Sequence, residues 1–413
     1  MRYRLLTACL AGVCFGVPSL SKAAPTYQVL HHFGNVAAGT SPFGGVLPGV
    51  GGKLYGVMEM GGSAGDGLDY VLLPPVSTGK TRELVLHNFT GGADGAFPYT
   101  GFGRNAADVL FGAVLATGGS QGTLYSLTPT NKAGTAFSQA SLFTFSGANG
   151  DGPEGAPVVG ADGALYGVTL FGGTTNFGTI YKLSPPAPGQ TAWTETVLHN
   201  FAGQDGRFPQ AGLIQGRHGV FYGTTTAGGT VDGGTVFQIA PPGPGKTAWK
   251  ETVLHSFTAG SDGFNPFDAG VALDQSGALF GITIQGGTFQ FGTAYKLTPP
   301  AAGGTGWTET ILRSFGDGSD GTAPLSKLVI GATGTLYGSL SQGAGGNSGR
   351  GAIYSLTPAT GGAYSFQTVH AFAGGKDGSH PFGDLTSDAS GTIYGTTDAD
   401  AAHTLATVFS ITP

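Results

Sequence analysis

One short string limits what this chain can fold into. TETVLHNF (194–201) and its variants end in an aromatic residue that returns at Phe33, Phe89, Phe145, Phe201, Phe257, Phe315 and Phe372, every 56 to 58 residues. A second marker, Leu/Ile/Phe-Tyr/Phe-Gly, gives Tyr55, Phe111, Tyr166, Tyr222, Phe280, Tyr337 and Tyr394 at nearly the same spacing. A third, Gly-Thr-x-Tyr/Phe, gives Tyr70 (in a degraded GLDY), Tyr125, Tyr181, Phe237, Tyr295, Tyr354 and Phe409. Three markers agreeing on seven copies define a repeat architecture, in which each unit buries its apolar face against the next.

Each copy reads as four strands: A around PQAGLIQG from Pro209, B from Val220, C from Gly234 and D from Trp249. All are short, β-branched or aromatic, and bounded by Gly, Pro, Asp or Asn. In strand D, alternation puts Trp193, Val197, His199 and Phe201 on one face and Thr194, Thr196 and Leu198 on the other. A four-stranded unit of this length is a propeller blade rather than a β-helix coil. The phase of the ends agrees: the first strand after the leader, 27–33, is a lone D, and 381–413 supplies A, B and C without a D. Pairing the two closes a ring and removes an open edge. The fold class expected is therefore all-β, a single seven-bladed propeller over residues 24–413.

Composition first suggests something looser. Of 413 residues 78 are glycine and 24 proline, a share at which disordered chain becomes a serious reading. Against that stand 40% hydrophobic and 11% aromatic residues, surface worth burying. The glycines also have fixed addresses. Gly56, Gly112, Gly167, Gly223, Gly281, Gly338 and Gly395 follow the strand B aromatic, which implies a neighbour too close for a Cβ. Gly-Gly pairs such as Gly228-Gly229 suit turns with positive φ after strand B. Asp-Gly followed closely by Pro marks the D–A connectors at Asp94, Asp205, Asp262, Asp320 and Asp377.

Residues 1–23 read as a secretory signal peptide. Arg2 and Arg4 precede an apolar run from Leu5 to Val17, and Ser21-Lys22-Ala23 is a small-x-small cleavage pattern. Both cysteines, Cys9 and Cys14, lie in that segment, so a cysteine-free mature chain is expected. It would carry 15 basic against 24 acidic residues, a net charge of −9. Such an acidic, charge-sparse chain is a poor partner for nucleic acid or an anionic membrane.

The strings FYGTTTAGG (221–229), GTVFQIAP (234–241) and ETVLHSF (251–257) resemble those of the GloVer tandem-repeat family of choice-of-anchor proteins, and the match extends over 27–413. The resemblance implies an exported repeat protein with no assigned activity. Members often end in surface-anchoring tails. This chain stops at Pro413 without an apolar tail, so free periplasmic or secreted protein is expected.

Histidine occupies one repeat position at His31, His87, His199, His255 and His370, with Phe143 and Arg313 in its place elsewhere. Blades radiate from an axis, so equivalent residues stand on a wide ring and cannot converge on one ion. The expected role is donation to the following Asp-Gly turn or a neighbouring carbonyl, which Arg313 can perform towards Asp320. Glu83, Glu195, Glu251 and Glu309 are locked to the repeat in the same way.

Function on a repeat scaffold should sit where copies differ. The D–A connectors and B–C loops share one face, here the top. Three departures stand out. The residue after the connector proline is aromatic at Phe43, Tyr99, Phe267 and Phe382, rings placed to rim a central funnel and stack on sugars, or to pack between inner strands. The position ten before the strand B aromatic is small at Gly45, Gly101, Ala156, Gly212 and Gly270, but is Lys327 and Asp384 in the last two copies. These two are expected to pair in the channel, as an ion pair or in acid–base chemistry. The last blade carries Asp398, Asp400 and His403 with His380 on the same face, a candidate metal set whose spacing matches no standard zinc or calcium string, the alternative being a solvated loop.

Two functions remain in view. The first is an exported non-catalytic binding or scaffold module, monomeric and without cofactor, using the D–A/B–C face on a glycan or an extracellular protein. The second is a glycoside hydrolase or lyase using the funnel. Hydrolysis needs paired carboxylates about 5–10 Å apart, and the sequence offers no obvious pair.

Overall fold

The computed structural model describes residues 25–34, 41–76, 79–116, 121–267, 269–301, 304, 306–343, 349–398 and 406–413. The 1–23 leader, Asp400 and His403 lie outside them. Seven antiparallel sheets follow one another, each built from one copy of the repeat, with strand order A-B-C-D. In the fourth blade these are Ile214–Gln215, Phe221–Thr225, Thr235–Ala240 and Lys250–Ser256. The seventh sheet takes its outer strand from the start of the chain: Thr26–His32 pairs antiparallel with Thr407–Thr412, Thr26 opposite Thr412. The pairing covers the strand C edge that the last copy would otherwise leave open at the seam.

The three sequence markers turn out to be one contact. The phenylalanine that ends strand D of each blade packs against the strand C aromatic of the next blade, with ring centroids 5.2 Å apart for Phe89–Tyr125, Phe145–Tyr181, Phe201–Phe237 and Phe257–Tyr295. Phe33–Tyr70 and Phe315–Tyr354 lie at 5.1 Å, and Phe372–Phe409 at 5.6 Å. Most are edge-on, the geometry the ring quadrupoles favour, and each is worth about 0.5–1.5 kcal/mol beyond the area it buries. The strand B glycine sits beneath the same ring: at Gly223 an added Cβ would stand 2.6 Å from Phe237 Cζ, and the other six glycines are equally crowded. Phe, Tyr/Phe and Gly recur together because they form one inter-blade joint. The core is accordingly a set of clusters between neighbouring blades, such as Tyr166, Val168 and Ile180 against Phe221 and Phe237.

Strand D departs from the expected alternation. In every blade its register against strand C slips by one residue before the histidine position: Tyr181 faces Val197, but the adjacent Ile180 faces His199. The same slip recurs in the other six blades. It is a β-bulge, in which two residues oppose one and the following side chains change face. Trp193 therefore meets Phe111 of the second blade, while Leu198 and Phe201 pack towards the fourth. His199 goes with Leu198 rather than with Trp193 and Val197, a correction to simple alternation.

The bulge aims the histidines at the turn acids. His87, His199 and His370 place Nε2 at 3.1, 2.9 and 3.0 Å from Asp94, Asp205 and Asp377, and Arg313 donates to Asp320 at 2.9 Å. At the seam His31 meets Glu83 instead, at 3.0 Å. Each acid also accepts backbone N–H bonds of its own turn, as Asp205 does from Ala202 at 2.8 Å. After strand B, both residues of Gly228-Gly229 have φ near +80°, where only glycine is unstrained. Beside them a buried threonine pair, such as Thr225 and Thr235 at 2.8 Å, satisfies its hydroxyls mutually.

Candidate functional site

Each connector reaches the inner strand by the same device. The residue before the connector proline has positive φ in all seven copies: Ser41, Phe97, Gly152, Phe208, Asn265, Ala323 and His380. Six of these are not glycine and sit in a region that L-residues populate sparsely. In five copies, at Phe97, Gly152, Phe208, Asn265 and His380, the N–H group anchors the connector to the preceding blade's B–C loop, Phe97 to Asp66 O at 2.8 Å and His380 to Arg350 O at 2.8 Å. The chain then turns through proline into the inner strand.

The residue after the proline is Phe43, Tyr99, Glu154, Gln210, Phe267, Leu325 or Phe382. Of these seven, Phe43, Tyr99, Leu325 and Phe382 line the channel cavity. A cavity of about 380 Å³ occupies the channel, lined by Phe43, Tyr99 and Phe382 at one end and by Arg104 and Val159 at the other. Phe43 touches both neighbours, with centroids 5.3 Å from Tyr99 and 4.7 Å from Phe382. These three rings therefore pack on one another while facing the cavity. Phe267 is half-buried and stands outside its lining. Glu154, 7% exposed, is the feature that aromatic bookkeeping misses. Burial pushes its carboxyl up to about 7, against a hydrogen bond from Gln210 that lowers it. The signal was present as the one acid in a ring of seven equivalent positions.

Gly101, Ala156, Gly212 and Gly270 line the wall, and Lys327 and Asp384 join them from the sixth and seventh blades. The two do meet, but not as an ion pair. Asp384 Oδ1 accepts the backbone N–H of Lys327 at 2.8 Å, and no salt bridge of the Lys327 ammonium is formed among the described residues. The Lys327 stem instead runs over Gly270. Inner strands approach each other by backbone, so the amide reaches the carboxylate before the long side chain can. Arg104, the second cation of the lining, leans on Asp108 at 3.4 Å. Asp384 is the single carboxylate of the lining among the described residues.

His380 and Asp398 are joined through their backbones: Asp398 N–H donates to His380 O at 3.2 Å, beside a bridge between Ser379 and Asp398. Asp398 also adds repulsion to Glu59, whose carboxyl burial holds above its usual range. The other two members of the expected set, Asp400 and His403, lie outside the described residues.

Around the channel mouth the top face is apolar in patches. Nine large hydrophobic side chains are exposed among the described residues, and six belong to the B–C loops, the strand B ends or the connectors: Met60, Phe97, Phe171, Val231, Phe289 and Phe291. Two further hollows open on this face. One of about 380 Å³ includes Phe264 and Phe291, and one of about 370 Å³ includes Phe177 and Arg207. The Arg207 guanidinium stacks over Phe177 and Phe208, 5.7 and 5.1 Å from their centroids, and pairs with Asp232. No helix among the described residues is long and apolar enough to cross a membrane.

Comparison with known proteins adds a family and a fold. A puromycin hydrolase structure superposes with a TM-score of 0.55 at 17% identity over 94% of this chain and 55% of that one. A candidate 6-phosphogluconolactonase from Bacteroides uniformis superposes at 0.50 and 16% over 79% of this chain and 83% of that one. At such identities the likeness shows the fold alone. No curated protein matches. The model of the Gloeobacter/Verrucomicrobia repeat matches residues 119–344 and 244–413, across the joints, bulges and turns described above. The chain belongs to the Gloeobacter/Verrucomicrobia repeat family.

Proposed function

We propose that this protein is an exported, non-catalytic binding or scaffold module that engages a glycan or an extracellular protein through its top face. The carrying observation is the distribution of exposed large apolar side chains, six of nine of which lie on that face. The gathering of these side chains on one face, with Phe289 and Phe291 together on one loop, is what supports a contact surface there. The channel lining supports the same reading. Its one carboxylate, Asp384, is occupied by the Lys327 amide, so the lining lacks the facing acid pair that glycoside hydrolysis uses. Residues 1–23 act as the export signal, and the mature chain begins near Ala24.

The test is a glycan and polysaccharide array on the mature chain, followed by a turnover assay on each hit. The double variant Phe289→Ser and Phe291→Ser is run beside Tyr99→Ala. Binding lost in the first and kept in the second supports the top face. Binding lost only with Tyr99→Ala, together with product formation, would replace this reading with a funnel enzyme.

A further inference from the structure

The junctions between neighbouring outer strands reuse one arrangement with different residues. The histidine position of one blade faces its own turn acid and the residue four before the histidine position of the next blade. At two junctions that third residue is a ring: Tyr27 stacks on His370 with centroids 3.5 Å apart and planes 5° off parallel, and Phe366 lies under Arg313 at 4.9 Å. An aromatic side chain thus suffices to close the joint. At the third-to-fourth and fourth-to-fifth junctions the same place holds Glu251 and Glu309, each turned towards a second carboxylate, Asp205 and Asp262.

Packing does not require that juxtaposition, and hydrogen bonding does not resolve it. His255 Nε2 stands 3.6 Å from Asp262 Oδ2 and 3.6 Å from Glu309 Oε1, beyond hydrogen-bond reach. His255 Nε2, Glu309 Oε1 and Glu251 Oε1 are buried from water with no hydrogen-bond partner. Within each group, His255–Asp262–Glu309 and His199–Asp205–Glu251, the ligand atoms lie within 4.8 Å of one another. Four-coordinate zinc with N and O ligands at about 2.0–2.2 Å sets its ligand atoms about 3.4 Å apart. The 3.6 Å edges of the His255 group match that figure. Thr258 holds Asp262 from behind, its N–H at 2.8 Å and its hydroxyl at 2.7 Å, the kind of support that orients a metal ligand. Complete sets of this kind occur at these two junctions among the described residues.

We propose that the His255–Asp262–Glu309 junction, and its repeat-equivalent His199–Asp205–Glu251, each bind one divalent transition metal ion of zinc-like preference. Each group gives one imidazole and two carboxylates, with water from the open rim as fourth ligand. Binding sets a positive charge between the facing carboxylates and joins blades 3 to 4 and 4 to 5 across their outer edges. The sites are separate from the top-face reading and survive its failure.

The test strips the mature chain with chelator, dialyses it against Zn²⁺ or Co²⁺ and counts bound metal by elemental analysis. Two ions per chain are expected, with a visible Co²⁺ band of four-coordinate intensity. Glu309→Gln should leave one ion, and Glu251→Gln with Glu309→Gln none, while His370→Ala keeps both. Glutamine preserves the shape of the joint, and circular dichroism checks that each variant is folded. Wild-type protein that retains no metal, or a folded double variant that retains as much as wild type, overturns the proposal.

Discussion

The outer and inner strands of this ring are made from the same repeat and look nothing alike. Outer strands such as Thr194–Asn200 and Lys250–Ser256 run seven or eight residues, and the outer strand carries the same bulge in all seven blades. Inner strands shrink to pieces of two or three residues, as in Ile214–Gln215 and Ala272–Leu273, except in the third blade, where Asp151–Val159 persists with a register shift. Near the axis seven strands crowd a small circumference, so ladder pairing gives way to backbone contacts between blades. At Gly155 an added Cβ would collide with the Gly212 backbone. The lesson is a division of labour. Copies stay alike where neighbouring blades interlock, and they diverge around the channel, where the chain only has to fit.

The sharpest way to break that contrast is to add a side chain at a glycine of the inter-blade joint and at one of the channel wall. Gly281→Val drives a side chain into the Tyr295 ring and should cost about 3 kcal/mol, read by denaturant melts. Gly212→Ala meets the Ala156 backbone less tightly, its O at 3.2 Å and N at 3.3 Å, at a position where the third blade already carries Ala156, and should cost below about 1 kcal/mol. Within the outer joints, Arg313→Met leaves Asp320 fully buried with its turn bond from Gly316 alone, a loss of about 3 kcal/mol.

Asp69 tests the joint from the other direction. It is the one acid at a strand C position that is apolar in the other six copies, and it is wholly buried with a single bond from Tyr125 at 2.8 Å. Burial raises its carboxyl well above the ordinary range. The corresponding hydroxyls of Tyr181, Tyr295 and Tyr354 are tolerated without partners. Asp69→Leu should therefore stabilise the fold by about 1 kcal/mol in the same melts.

The inner ring supplies a pH signature. Glu154 keeps its proton up to about 7 when folded, whereas an unfolded glutamate loses it near about 4.3. Its folded form binds more protons across that window, so its contribution is present at acid pH and is lost as pH rises towards 7. Melting temperature measured from pH 4.5 to 7.5 should fall more steeply in the wild type than in Glu154→Gln. The smallest effect belongs to Lys327→Met: with no ion pair on its ammonium, the change should stay within about 0.5 kcal/mol. A larger loss would show that the channel cation carries structural weight.

Much of this architecture could be read from spacing. The four-strand unit, the lone D strand at 27–33, the glycine beneath a ring and the histidine–aspartate turn all follow from residues within one copy or from its phase. What escaped were relations between copies. The markers Phe201 and Phe237 are 36 places apart in the chain and in contact in space. The bulge at Leu198 escaped because alternation assumes an uninterrupted ladder. Glu309 reads as a repeat-locked acid until the fifth blade brings it to His255. Lys327 and Asp384 meet through the Lys327 amide and not as the expected ion pair, because two backbones approach closely there.

The seam between Thr26–His32 and Thr407–Thr412 also sets an order of events. The first strand to emerge has its partner at the far end of the chain, so it must wait unpaired while every other blade can form from neighbours in sequence. Ring closure is then the most non-local and slowest step of folding. Until it happens, two edges stay open to other chains, which makes that interval the period of greatest exposure to misassembly.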